Sequence, residues 1–269
     1  MKKKRLIPIL LLKNGWLVQS KEFCRYQNLG NPVAAVKRLS QWASDELIYL
    51  DISKDETYDL RRDDQGYQNR HSFIDIIKDV STVAFMPITV GGRIRTLKHI
   101  KDLLSAGADK VSINSKALAD KKFITEAAKE FGSQCVVVSI DVKIVNGEYK
   151  VFSNGGLVST DYTPVEWASI AESYGAGEIL LNSIDRDGMK NGYDINLLEN
   201  VAEKVNIPVI ACGGVGAWSH FAEALDKTSV DAVAAANIFH YSDQSVYYAK
   251  KYLYEKNYNV RAPDILSVN

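Results

Sequence analysis

Short aliphatic or β-branched runs alternate along the chain with longer stretches whose apolar residues recur every three or four positions. The runs fall at 6–12, 46–51, 85–90, 109–113, 135–140, 178–182, 208–212 and 231–235. Between them, sets such as Val33, Val36, Leu39 and Trp42, or Leu97, Ile100, Leu103 and Leu104, carry helical spacing. Eight strand–helix units predict one α/β domain over residues 1–269, a closed (β/α)8 TIM barrel. Parallel strands need helical crossovers, and eight of them close around a filled interior. An open doubly wound sheet is the alternative that alternation alone allows.

Internal similarity narrows the choice. "ELIYLDISKD" from Glu46 resembles "EILLNSIDRDG" from Glu178, "PITVGGRI" from Pro87 resembles "PVIACGGVG" from Pro208, and "ADKVSINSKAL" from Ala108 resembles "VDAVAAANIFH" from Val230. The barrel is therefore expected to be two homologous half-barrels, and a doubled architecture suggests doubled ligand sites. The segment 51–73, charged and rich in turn formers, breaks the pattern after the second strand. It is expected as a loop at the C-terminal, active face, or as a solvated surface loop.

Lys plus Arg equals Asp plus Glu, 33 each, so no field of one sign draws the chain to nucleic acid or an anionic membrane. Any anionic ligand must be held locally. Cys24, Cys135 and Cys212 are widely spaced, without C-x-x-C or paired histidines, and read as reduced thiols of a cytoplasmic protein rather than a metal site. The basic start followed by LIPILLL imitates a signal peptide. Its apolar run spans only Leu6 to Leu12, contains Pro8 and lacks a small-residue cleavage pattern, so it reads as a buried strand.

Gly91-Gly92 and Gly213-Gly214 each follow a strand and precede a helix, where glycine lets backbone N–H groups approach an anion. Asn114-Ser115 and Ala236-Asn237 end the neighbouring strands and could complete each cradle. One Gly-Gly turn is usually only a turn; two at equivalent places point to a ligand with two phosphates. Arg93 stands where a third glycine would make the first turn roomier, and either donates to the phosphate or crowds it. Asp141 closes the fifth strand, placed to exchange protons with a substrate over the mouth, or to cap the next turn. Asp51 and Asp187 sit at similar rims. At the opposite strand ends, Arg5, Glu46, Lys110 and Glu178 could form a ring of alternating sign across the barrel bottom, a gate for small neutral molecules. Each alone would be a solvated strand end.

Over nearly the whole chain these residues resemble the cyclase (HisF) subunit family of imidazole glycerol phosphate synthase, in histidine biosynthesis. The stretches that carry it are "KRLIPILLLKNG", "DELIYLDI", "VGGRIRT", "GADKVSINSKAL", "FGSQCVVVSIDVK", "GAGEILLNSIDRDGMKNGYD", "CGGVG", "NIFH" and "NVR". The resemblance implies a glutaminase (HisH-like) partner docked at the barrel bottom as a heterodimer. Ammonia passes a gate matching Arg5, Glu46, Lys110 and Glu178. A bis-phosphorylated substrate lies over the top, its phosphates on positions matching Gly92, Arg93, Asn114 and Ser115, and Asp187, Gly188, Gly214, Ala236 and Asn237. It implies no metal or organic cofactor.

The resemblance also implies two aspartates as general acid and base. One corresponds to Asp141; the other belongs in a pattern C-L-D-V-K-D-G, where this chain has Ile9-Leu10-Leu11-Leu12-Lys13-Asn14-Gly15. Leu11 stands in its place, Gln19 stands where the family carries a mobile lysine, and Arg93 replaces a phosphate glycine. Leucine cannot exchange a proton. This combination resembles cyclase-like paralogues of surface-polysaccharide (lipopolysaccharide) pathways, which work with a glutaminase and an N-sugar amidotransferase on sugar or sugar-nucleotide acceptors. The readings left open are a histidine-pathway cyclase, an ammonia-delivering subunit for another acceptor, and a non-catalytic scaffold that activates its glutaminase.

Overall fold

The computed structural model describes residues 2–54, 58, 70–241 and 244–263. Most of the loop expected at 51–73 lies outside these residues. Eight strands form the barrel wall: β1 (Arg5–Lys13), β4 (Leu47–Asp51), β5 (Ile88–Gly91), β6 (Lys110–Ile113), β7 (Val136–Val145), β10 (Glu178–Ser183), β11 (Val209–Cys212) and β12 (Ala232–Ala235). Each pairs in parallel with the next, and β12 returns to β1, with Arg5 opposite Ala232, so the barrel is closed. A closed wall leaves no free edge to aggregate.

Helices follow the strands on the outside: α1 (Pro32–Gln41), α2 (Phe73–Ser81), α3 (Leu97–Ser105), α4 (Ser115–Ala119) with α5 (Lys122–Phe131), α6 (Pro164–Ser173), α7 (Ile195–Ala202), α8 (Trp218–Lys227) and α9 (Ser245–Glu255). Local chemistry sets where they begin. Asn31 accepts from the Val33 amide ahead of Pro32, and Thr163 and Glu166 form a capping box at α6. Trp42, expected on the first helix, falls just beyond its end.

Strand alternation divides the core in two. Outward residues such as Leu6, Leu10, Leu47, Val138, Leu181 and Val233 pack under the helices in one large cluster. Inward residues Ile7, Ile9, Leu11, Ile48, Val137, Leu180, Ile210 and the small Ala232 and Ala234 fill the lumen. The inward set is mostly apolar, but Thr89, Ser112 and Ser139, in register with Ile48, Val137 and Leu180, place buried hydroxyls between the polar groups at its two ends.

The apolar runs do not reveal two further elements. After β1 the chain forms the antiparallel hairpin β2 (Trp16–Lys21) and β3 (Arg25–Gly30); after β7 it forms β8 (Glu148–Ser153) and β9 (Val158–Ser159). These are the first and fifth barrel strands, equivalent places in the two halves. Both turns are Asn-Gly with positive φ at both residues, 51° and 80° at Asn14-Gly15 and 52° and 84° at Asn146-Gly147. That is the turn an antiparallel hairpin favours.

Candidate active site

At the bottom of the lumen four side chains from four strand ends meet. Arg5 bonds Glu46 through Nη1 (2.6 Å) and Glu178 through Nη2, while Lys110 Nζ lies 3.0 Å from each of the same two carboxylates. The expected ring is therefore closed, with alternating charges. Both carboxylates are buried, and the cations are about one-fifth exposed. Burial works against the Arg5 charge, but Glu178 and Glu46 more than offset it, and its pKa is raised. Glu46 Oε2 is buried and accepts no hydrogen bond among the described residues, so one carboxylate oxygen of the ring is open to a donor.

At the top, Asp141 belongs to the inward set of β7 and pairs in register with Asn182 of β10. Both carboxylate oxygens accept side-chain amides, from Asn114 at 2.9 Å and Asn182 at 3.3 Å. Burial raises its pKa to about 7, with the charge of Asp187 adding and the Asn182 bond opposing. A carboxyl poised near neutrality can both give and take a proton. Leu11, also inward, packs with the lumen residues and is one-tenth exposed or less. Lys13, two residues on, lies 4.0 Å from the centre of the Tyr26 ring, on the hairpin. Cys212 faces the same lumen, and burial together with Asp187 and Asp141 pushes its thiol up, so it stays protonated.

The residues read as two cradles lie at the same end of the barrel, each group beside one hairpin. In the second half, Gly188 and Gly214 hold positive φ, and a Cβ on Gly214 would fall 2.1 Å from the Gly192 carbonyl oxygen. Only glycine fits there. Asp187 accepts from the Ser20 hydroxyl (2.7 Å) and lies 3.4 Å from the Phe23 amide nitrogen. Asn237 donates to the Ser20 carbonyl (2.6 Å). Burial raises the Asp187 pKa, opposed by the Ser20 and Phe23 bonds. Gly213 and Ala236 flank this site from β11 and β12.

In the first half, a Cβ on Gly92 would fall 2.1 Å from the Asp51 carbonyl oxygen, and Gly91 abuts Ser112. Arg93 takes a left-handed backbone, φ 53°, and its guanidinium bonds the fully buried Asp51 carboxylate at 2.5 Å. Asp51 is not a lumen residue: it shares the outward parity of Leu47 and Tyr49 and also accepts from the Tyr58 hydroxyl and Ser53. Asp51 thus closes its strand at the rim but turns its carboxylate to Arg93, Tyr58 and Ser53 rather than into the lumen. Ser115 Oγ accepts from the Asn154 amide on the β8–β9 turn (2.9 Å), and the Asn114 amide is turned to Asp141. The hairpins also meet, since a Cβ on Gly156 would touch the Phe23 ring.

Sequence reasoning missed Asn182, Ser20, Phe23 and Asn154. Asn182 is an uncharged strand-end residue that only the register places beside Asp141, and the hairpins carry no sequence mark beyond their two Asn-Gly turns.

Comparison with known proteins agrees with this architecture. Residues 5–245 match a family model described as "Histidine biosynthesis protein". The chain is 46% identical over 259 residues to imidazole glycerol phosphate synthase subunit HisF of Hydrogenobaculum sp. (strain Y04AAS1), covering 96% of this chain and 98% of that protein. It is 44% identical to the subunit of the same name from Geobacillus kaustophilus (strain HTA426), with 96% and 99% covered, and 42% to that of Bacillus cereus (strain G9842), with 96% and 98% covered. The closed eight-stranded barrel, the family match and identity over nearly the full length of these relatives place the chain in the histidine biosynthesis protein family, as a cyclase-type subunit of the imidazole glycerol phosphate synthase group.

Proposed function

We propose that this chain is the ammonia-receiving synthase subunit of a cytoplasmic glutamine amidotransferase, and that its acceptor differs from that of the histidine pathway. A glutaminase docks at the barrel bottom as a heterodimer. Ammonia enters through the ring of Arg5, Glu46, Lys110 and Glu178, where the open Glu46 oxygen accepts an N–H, and crosses a lumen of Ile7, Ile48, Leu180 and Ala234. Neutral ammonia gives up only its hydrogen bonds to water, which the buried hydroxyls of Thr89, Ser112 and Ser139 partly replace, whereas ammonium would meet a desolvation cost of several kcal/mol.

At the mouth, Asp141 is the one carboxylate of the two that the family resemblance implies. General acid–base catalysis contributes roughly a hundred- to ten-thousand-fold, about 3–5 kcal/mol of barrier. Leu11 beside the apolar lumen removes one partner and dries the entrance. The acceptor we infer is a sugar or sugar nucleotide of surface-polysaccharide synthesis, presented with an N-sugar amidotransferase, whose amination needs one proton-transfer group from the barrel. The observation that carries this reading is the closed ring at one end of the lumen and leucine at the other.

The 42–46% identity to HisF subunits favours a second reading, a fully active cyclase of histidine biosynthesis. A scaffold that only activates its glutaminase is the third. The purified chain, given 15N-ammonium and either the histidine-pathway substrate or candidate sugar nucleotides with the amidotransferase, separates them. Label in the sugar alone supports the proposal; turnover of the histidine substrate at the rate of its relatives overturns it; stimulation of a glutaminase without label in any product leaves the scaffold.

A further inference from the structure

Away from the mouth, a cavity of about 230 Å3 opens between α1 and the turn after β12. Arg38, Leu39 and Trp42 line one side, and Phe239, His240 and Tyr241 the other. Its basic walls, Arg38 and His240, are both nitrogen groups, and no carboxylate lines it among the described residues. Arg38 joins none of the ion pairs found among those residues, and the His240 ring makes no hydrogen bond among them. Burial, with the charge of Arg38 added, holds the His240 imidazole down to about 4, so at neutral pH a neutral ring faces a guanidinium. A cation and an imidazole N–H converging on one hollow suit an oxyanion, and the planar guanidinium fork suits phosphate or carboxylate best. Trp42, Leu39 and Phe239 supply apolar wall beside them.

We propose that this cavity is a second binding site, for a small organic anion whose phosphate or carboxylate sits between Arg38 and His240 and whose flat body lies against Trp42. The site is independent of the nitrogen-transfer reading. Both of its walls lead to the mouth. α1 continues from the β2–β3 hairpin, and His240 ends the turn that begins at Asn237, the residue that holds that hairpin through Ser20.

The test uses phenyl phosphate added to the full chain and followed by NMR. The His240 imidazole and Trp42 indole report this site, and the Gly92 and Gly214 amides report the cradles. His240 and Trp42 are expected to shift together along one saturating curve, with a dissociation constant on the order of 1 mM. Arg38 is exposed on α1, so Arg38→Met leaves the core intact; it is expected to weaken this curve about tenfold or more while the cradle amides titrate as before. Trp42→Leu is expected to weaken phenyl phosphate more than inorganic phosphate. Movement of the cradle amides alone, or unchanged binding in Arg38→Met, would overturn the site. Equal loss of both phosphates in Trp42→Leu would overturn the flat-body part.

Discussion

Both ends of the lumen hold buried carboxylates, and the two come out differently. At the bottom, two cations and two carboxylates satisfy one another in a ring, and burial of each charge is offset by its two neighbours. At the top, Asp141 accepts from two neutral amides and, among the described residues, from no cation, so burial outweighs its partners and its pKa is raised to about 7. The difference is one of charge balance. A ring in which every charge is paired can act as a barrier, while an unbalanced carboxyl whose pKa is raised by burial can act as a reagent.

The comparison breaks most completely if the reagent is removed. Asp141→Asn keeps the shape and is expected to lower ammonium-driven turnover of the true acceptor by roughly a hundred- to ten-thousand-fold, read as kcat with the fold checked by circular dichroism. At the other end, Glu178→Ala leaves Arg5 and Lys110 each with only the Glu46 carboxylate between them. It is expected to cost about 3–5 kcal/mol in urea denaturation, because a buried charge set has lost a partner.

The pH dependence of stability separates the two ends. Asp141, near 7 when folded against an ordinary value of about 3.9, binds more protons in the folded than the unfolded chain between those values. Its contribution is therefore full below about pH 4 and lost as pH rises to about 7, by at most about 4 kcal/mol. Comparing Asp141→Asn with the parent in urea at about pH 5 and about pH 8, below and above the folded value, should show the variant gaining relative stability at the higher pH.

Smaller effects sharpen the contrast between the cradles. Arg93→Gly relieves a left-handed backbone but takes a cation from buried Asp51, which keeps Tyr58 and Ser53; a net loss of about 1–3 kcal/mol is expected by thermal denaturation. Asn237→Ala, which removes the side chain that holds Ser20, is expected to cost about 1 kcal/mol and to speed hydrogen exchange in the β2–β3 hairpin.

The barrel was legible because buried parallel strands read as aliphatic runs and crossovers as helical spacing. Arg5, Glu46, Lys110 and Glu178 were legible as a set because a charge at each strand's start stands out against the apolar run beside it. The hairpins were not, since β3 and β9 are exposed and carry no apolar run; their Asn-Gly turns were the only local mark. Which way Asp51 faces was not legible, because strand-end aspartates look alike in sequence, and only the lumen parity of Ile48 and Leu50 separates it from Asp141. Asn182 carries no charge, so nothing before the register was known singled it out as the partner of Asp141.

The most direct test of the account is the ammonium-driven turnover of the histidine-pathway substrate by the parent chain and by Leu11→Asp, which adds the second carboxylate to the inward face of β1. The account predicts no turnover above background for the parent and a gain of at least about a hundredfold for Leu11→Asp. A parent chain that already turns over the substrate, at a rate that Leu11→Asp does not raise, would contradict it.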